Sequence, residues 1–510
     1  MVINILVGGR AGQGINLISG MLSRVLASWG YYTFNYRDYQ SLIRGGHNFN
    51  VLSVSKEPIY SNESTIDVMV ALDDRTVKTH KKQLKRNGKI ISFSQFKDAG
   101  RNLNFALAGA LLKTLGMPVE LLEDEIKKRF GNDSLMIESA RKGFDSEKVS
   151  FGLEPQKSRK IFSLSGSAAV AIGAKNSGLD VYIAYPMTPS TNALHEMAKN
   201  QLEDGMLVFQ AENEISVANM ALGASFAGAR VMIGTSGGGF DLMSETLSLQ
   251  GITEIPLTVY LASRPGPGTG VPTYTAQADL DIALRAGHGE FPRVVIAPGT
   301  AEEVIEKVSE ALFLAEKFRV LSILLSDKHI AESEYAVPVR KFKTMRFSVS
   351  RDVPGRKIVR ASSYECSNNA ESTEDASLVK RNVDRRLKKY ELLKKFVSRK
   401  FEMFKVYGNT RSRNLIIGWG SPTGAILDVL KRGVDVCFLQ VIYLKPLSDK
   451  IKRFMEKAER IVLVENNATG QLGRLLREKT GIKPHRKILK YDGRPFNVDE
   501  LEKEVRKAIK

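Results

Sequence analysis

The sequence predicts an α/β protein built from several doubly wound parallel-sheet domains. Short apolar runs that read as strands alternate with helical patterns over most of the chain, as at Val181–Ala184, Val231–Gly234 and Ile255–Leu261. Many of these runs end in turns rich in glycine, proline or hydroxyls, as the connections of open parallel sheets do. At 510 residues the chain exceeds one ordinary core, and typical sizes divide it into about three domains.

The first unit spans 1–155. Ile3–Val7 is a short apolar strand running into Gly8-Gly9-Arg10-Ala11-Gly12-Gln13-Gly14, followed by a helical pattern through Ile18, Leu22, Val25 and Leu26. Strand, glycine-rich turn and helix form the first half of a nucleotide-binding βα unit. The spacing is not G-x-G-x-x-G, so the glycines have two readings, contact with phosphate or a tight turn with close packing. Arg44-Gly45-Gly46-His47 precedes the strand Phe49–Val54. An arginine beside flexible backbone suits an anionic ligand or a domain contact, and His47 reads as structural.

The second unit, 161–341, alternates helix Ala168–Asn176, strand Val181–Ala184, strand Met206–Gln210, helix Ile215–Ala227 and strands Val231–Gly234, Ile255–Leu261 and Val294–Ala297. A segment at 342–410 breaks the pattern and reads as a partly ordered linker, polar and acidic over Ser362–Ser377 and then basic over Lys380–Lys405. The last unit, 411–510, resumes with strands Asn414–Ile417, Val434–Leu439 and Ile461–Val464.

Composition narrows the class. Cys366 and Cys437 can neither build a disulfide framework nor supply the four ligands of an iron–sulfur cluster, and read as ordinary thiols of a reducing cytoplasm. No stretch reaches the roughly 18 apolar residues of a membrane helix. The start, Met1-Val2-Ile3-Asn4, enters a strand without the features of a signal peptide. The net charge of +19 suits nucleic acid, an acidic partner or a lysine-rich genome. Much of it lies in the basic helix, where Phe396, Val397, Phe401 and Phe404 interleave at helical spacing; a solvated amphipathic helix is preferred over a nucleic-acid patch.

Ligands of open parallel sheets bind beyond the carboxyl ends of the strands. Four unusual segments follow strands of the second unit: Tyr185-Pro186-Met187-Thr188-Pro189-Ser190-Thr191, the acids Glu212 and Glu214, Thr235-Ser236 with three glycines, and the loop Arg264–Thr273. Each has a plainer reading. Thr188 and Ser190 would cap a helix. Glu212 and Glu214 would complement a helix dipole. Arg264 would form a surface ion pair, although so constrained a loop fixes its guanidinium in a pose suited to a carboxylate.

At these residues the chain resembles the 2-oxoacid:ferredoxin oxidoreductases, in the form that fuses the gamma and alpha parts. Tyr185–Thr191 is similar to the family's Tyr-Pro-Ile-Thr-Pro-Ser motif with Met187 for Ile, and Arg264–Thr273 to its Arg-x-Gly-Pro-Ser-Thr-Gly-x-Pro-Thr loop with Gly268 for Ser. The likeness includes Gln210–Met243, Gly12-Gln13-Gly14, Arg44-Gly45-Gly46, Glu465–Gln471 and Lys490–Phe496. It implies a gamma-type domain at 1–155, a domain like the thiamine diphosphate pyrimidine-binding fold at 161–341, and a transketolase C-terminal-like domain at 411–510. It also implies oxidative decarboxylation of a 2-oxoacid to acyl-CoA and carbon dioxide, with electrons for ferredoxin and thiamine diphosphate as the cofactor. Tyr185, Pro186 and Glu214 would bind the cofactor. Glu214 would hydrogen-bond its aminopyrimidine, with Glu212 as the alternative, and is the implied catalytic residue. Arg264 and Thr188 would bind the substrate carboxylate. The gamma-like part would lie near coenzyme A.

The chain lacks a Gly-Asp-Gly segment followed by Asn, and lacks a cysteine cluster. The resemblance assigns both, with Mg2+ and a [4Fe-4S] cluster, to a separate beta subunit, giving an αβ heterodimer or a dimer of such pairs and no metal ligand here. The family's Gly-Asn-Glu-Ala is replaced by Gly166-Ser167-Ala168-Ala169, and Tyr364-Glu365-Cys366 replaces a Glu-His-Asp-Glu run. Competing readings are a non-redox thiamine diphosphate enzyme subunit and a non-catalytic scaffold or binding subunit.

Overall fold

The structure, a computed structural model, describes residues 2–42, 45–156, 160–349, 351–357, 359 and 361–510. Arg44 lies outside the described residues. The chain forms two compact units, one of Met1–Ser165, Ser333–Lys341 and Asn497–Glu502, the other of Gly166–Glu332, Phe342–Phe496 and Lys503–Lys510.

In the first unit, β1 (Val2–Ala11) alternates between two cores, as a period of two requires. Ile3, Ile5 and Val7 pack with Ile18, Leu22, Val25 and Leu26 of helix Ile15–Ser28, whereas Leu6 packs with Ile66 and Met69. Gly12 and Gly14 turn the chain between strand and helix at φ 90° and 89°, a region that strains other residues. The remaining strands are β2 (Tyr32–Asp38), β3 (Gly45–Ser55), β4 (Ile66–Ala71), β5 (Leu84–Ser92) and β6 (Ile161–Ser165). The sheet runs β5–β4–β1–β3–β2, then Glu334–Pro338, then β6. It is mixed: β1 is parallel to β4 but antiparallel to β3, and β3 is antiparallel to β2. The connection from Asp38 to Gly45 is too short for a crossover, which takes about a dozen residues, so β2 and β3 can pair only antiparallel. His47, read from sequence as structural, is buried with its Nε2 2.8 Å from His80 Nε2.

The second unit holds two sheets. The larger uses β7 (Val181–Ala184), β8 (Leu207–Gln210), β9 (Val231–Thr235), β10 (Leu257–Ser263), β11 (Arg293–Ile296) and β12 (Leu321–Asp327). Its order is Tyr443–Lys445, β11, β12, β10, β9, β7, β8, parallel except for the antiparallel edge strand Tyr443–Lys445. β9 to β12 are buried along their whole length, which is why they read as continuous apolar runs. From β7 the chain moves outward to β8 and then returns across β7 to β9. That reversal opens a crevice beside the carboxyl end of β7.

The smaller sheet orders Phe404–Gly408, Cys437–Val441, Asn414–Gly418, Arg460–Glu465 and Arg486–Leu489, antiparallel at the first pair and parallel thereafter. Much of the segment read as a linker is a 25-residue helix, Ala376–Lys400, capped by Asp375, which accepts from Leu378 N. It buries Leu393 and Val397, and Phe396 meets Phe318 edge-on at 5.4 Å. Four of its ten cations help to hold it down: Arg385 and Lys389 both pair with Glu254, Arg386 with Glu365, and Lys394 with Asp449. Among the described residues no helix is long and apolar enough to cross a membrane.

Candidate functional site

Four loops leave the carboxyl ends of β7, β8, β9 and β10. After β7, Tyr185 is exposed, Pro186 and Thr188 are half-buried, and the Thr188–Pro189 peptide is cis. The next helix begins at Thr191, and Ser190 Oγ donates to Met187 O at 2.7 Å instead of capping it. The capping reading of Thr188 and Ser190 is therefore not followed. Thr188 instead presents its main-chain carbonyl, which accepts from Arg264 Nη1 at 2.8 Å.

After β8, Asn213 caps the helix Glu214–Phe226, its side chain accepting from Ser216 N at 2.8 Å. The cap directs Glu214 inward and leaves Glu212 exposed. Glu214 is 4% exposed, and its buried Oε1 has no hydrogen-bond partner among the described residues. An ionised oxygen in that position costs several kcal/mol unless a donor reaches it. The glycines after β9 make the space for it. A Cβ on Gly239 would lie 2.6 Å from Glu214 Cγ, 2.7 Å from its Oε1 and 2.3 Å from Thr235 Oγ1. A Cβ on Gly237 would lie 2.6 Å from Asp279 Oδ1.

After β10, Arg264 is half-buried at the base of a loop that Val271 N closes onto Pro265 O at 3.1 Å. Gly270 sits at φ 55°, where a Cβ would fall 1.9 Å from Pro265 O. Arg264 forms no ion pair among the described residues. Burial pulls its guanidinium below the ordinary arginine range, while Asp279 first and Glu214 second oppose that pull.

The distal end of the loop is pinned by the smaller sheet. Gln277 N donates to Asn466 O and Gln277 Oε1 accepts from Asn466 N, both at 2.8 Å. Gln277 Nε2 donates to Trp419 O at 2.8 Å, and Asn467 Nδ2 donates to Gln277 O at 3.1 Å. Beneath this latch, buried Glu465 accepts from Trp419 Nε1 at 2.7 Å and from Leu472 N at 2.9 Å. Arg494 lies 3.7 Å over the Tyr274 ring.

The structure thus joins Arg264 to Thr188, and places Glu214 within electrostatic reach of Arg264. Three residues that sequence reasoning missed belong beside them. Asn213 had a signal, an Asn opening a helix. Gln277 and Asp279 are polar residues between the buried Ala276 and Leu280, which was the cue available for them. Among the described residues, no group of three or more His, Cys, Asp or Glu side chains is placed to hold a metal ion.

The geometry can take a carboxylate at Arg264 and a neutral or protonated nitrogen at Glu214. That fits a group with an aminopyrimidine edge, because the buried Glu214 Oε1 lacks a donor and the glycine run leaves the cradle open.

Residues 172–388 match the family model for the thiamine diphosphate-binding part of pyruvate flavodoxin/ferredoxin oxidoreductase, and residues 4–101 that for pyruvate ferredoxin/flavodoxin oxidoreductase. The chain is 31% identical to a 2-oxoacid:ferredoxin oxidoreductase subunit alpha of a Sulfolobus species, over 99% of this chain and 96% of the relative. It is also 31% identical to 2-oxoacid:ferredoxin oxidoreductase 1, subunit alpha, of Sulfurisphaera tokodaii, over 99% of this chain and 97% of the relative. Among solved structures it superposes on a 2-oxoglutarate:ferredoxin oxidoreductase from Magnetococcus marinus, with 2-oxoglutarate, coenzyme A and succinyl-CoA bound, at TM-score 0.90 and 25% identity over 100% of both chains.

Proposed function

The chain belongs to the 2-oxoacid:ferredoxin oxidoreductases as an alpha-type subunit carrying the gamma-like part at its N-terminus, and from that premise we propose how its residues share the reaction with a second polypeptide. The enzyme oxidatively decarboxylates a 2-oxoacid to an acyl-CoA and carbon dioxide, with electrons leaving to ferredoxin. Thiamine diphosphate, when bound, supplies the carbanion and the electron sink that carbon–carbon cleavage requires.

The residues of this chain prepare that chemistry. Glu214 offers its unpartnered Oε1 to the aminopyrimidine edge, favouring the tautomer that activates the cofactor. Asn213 fixes the start of the helix and hence the pose of Glu214. Tyr185 and Pro186, in the loop after β7, would line the cofactor's place. Arg264, steadied on the Thr188 carbonyl, keeps guanidinium N–H groups for the substrate carboxylate, and the Thr188 hydroxyl completes that pocket. A fixed cation holds the anion without reorganisation, and more strongly once a covering partner excludes water. The single observation that carries this reading is the Arg264–Thr188 clasp within electrostatic reach of buried, unpartnered Glu214.

The site is half of a whole. The helix carrying Glu214 exposes Ile215 and Met220, the next helix exposes Leu242, and the edge strand β8 exposes Leu207 and Phe209. Apolar side chains and a strand edge unpaired among the described residues, around a cofactor cradle, support a covering protein. We assign that cover to a beta subunit that anchors the diphosphate through Mg2+ and holds a [4Fe-4S] cluster. Two cysteines, one of them buried in a strand, leave this chain without cluster ligands. The low cysteine count supports a cytoplasmic enzyme.

Replacing Arg264→Ala in the reconstituted complex tests the assignment. Loss of a charge-assisted pair, about 1.5–3 kcal/mol, raises KM for the 2-oxoacid roughly 10- to 150-fold. Unchanged turnover would remove Arg264 from substrate binding.

A further inference from the structure

Asp279 is an acidic side chain at the crevice with no part in the reaction as described. It lies beyond the arginine loop, two residues past the Gln277 latch, so its backbone is held by the smaller sheet. Its Oδ2 is buried without a hydrogen-bond partner among the described residues, and its Oδ1 occupies the space that a side chain at Gly237 would fill. Gly239, two residues on, makes the same room for Glu214. One glycine run therefore admits two carboxylates, and Arg264 lies in the field of both, with Asp279 exerting the stronger pull.

We propose that Asp279 is a positioning residue for Arg264, serving as its counter-charge in the free site and taking up a proton when the carboxylate of the 2-oxoacid arrives. The inference rests on Arg264 being the substrate clasp. A guanidinium facing an ionised Asp279 is already partly neutralised and attracts a second carboxylate less. When the substrate brings its own negative charge into the same buried space, the two carboxylates cannot both stay ionised cheaply, and the less solvated one accepts a proton. Asp279 is suited to that: burial pushes its carboxyl up to about 6, the exposed Asp241 pushes the same way, and the Ser263 hydroxyl and Arg264 hold it back.

The sign of the effect follows. Below about pH 6 Asp279 is protonated with or without substrate, and affinity is at its maximum. Above it, binding requires proton uptake, so affinity falls by up to about tenfold per pH unit until the substrate-bound pKa is reached.

The test is the pH profile of KM for 2-oxoglutarate and for pyruvate in the complex with the beta subunit. Wild type shows a rising KM above about pH 6; Asp279→Asn is flat at the low-pH value, with kcat changing less than KM. An Asp279→Asn profile that parallels wild type overturns the proposal, as does an equal loss of kcat at every pH, which marks a packing role. Should that variant fail to fold, Asp241→Asn at the exposed position shifts the wild-type midpoint to lower pH, and an unmoved midpoint rejects the mechanism. Arg264→Ala separates the two ideas: if it leaves KM unchanged, the substrate-clasp reading itself has failed, whereas a large KM effect alongside a pH-indifferent Asp279→Asn leaves that reading standing and discards only the role of Asp279.

Discussion

At the scale of single residues the site depends on small features that leave room for large effects. Replacing Glu214→Gln keeps the shape and removes the charge; kcat falls by about 10²- to 10⁴-fold while the folded complex and its melting temperature are retained. Gly239→Ala puts a methyl 2.6 Å from Glu214 Cγ and 2.3 Å from Thr235 Oγ1, so either the glutamate or the strand end must shift. Overpacking of this kind costs about 1–3 kcal/mol, and a denaturant melt read beside kcat distinguishes lost stability from a displaced Glu214. Thr188→Val raises KM for the 2-oxoacid without releasing Arg264, because the clasp uses the main-chain carbonyl. If KM stays put, the hydroxyl has no contact with substrate. Arg264 and Thr188 stood out as candidates because prolines and glycines punctuate their loops, and the structure joins them. The nature of their contact was not legible, because a carbonyl is common to every residue. Asp279 was also hidden, since its setting depends on a missing side chain at Gly237, on a different element.

At the scale of elements, strands buried on both faces announced themselves. β10 and β12 are unbroken apolar stretches in sequence and wholly buried in the structure. Strand direction in the first sheet was less accessible, because a strand–turn–helix start serves parallel and mixed sheets alike, and a short connection decided between them. The helix Ala376–Lys400 reads as a solvated basic face, yet it is anchored through Glu254, whose partners Arg385 and Lys389 are one helical turn apart. Burial pushes the Glu254 carboxyl up, but its two cationic neighbours outweigh burial and hold it below the ordinary range. The stabilisation is therefore present above the unfolded carboxyl value of about 4.3 and is lost as pH falls through the lower folded value. Glu254→Gln removes it at neutral pH, leaving two cations against a neutral amide. Thermal melts at pH 7 then show a lower midpoint than wild type, and the gap narrows towards pH 3. A constant gap would assign the loss to packing alone.

At the scale of the whole molecule, the exposed apolar residues around the crevice predict a chain that performs no turnover by itself. Hydrogen exchange over 207–220 is expected to slow when the proposed beta subunit is added, with turnover appearing alongside; exchange that is unaffected would place the partner elsewhere.

The Gln277 latch has a consequence for how such chains can be recombined. The arginine loop and the turn Glu465-Asn466-Asn467 are far apart in sequence, yet are joined by a reciprocal pair of main-chain and side-chain hydrogen bonds. A gene chimaera with a single crossover between 300 and 400 takes the loop from one parent and the turn that holds it from another. Transplanting substrate preference between relatives therefore calls for a two-crossover cassette that carries both segments, and single-crossover libraries should be enriched in folded, inactive offspring.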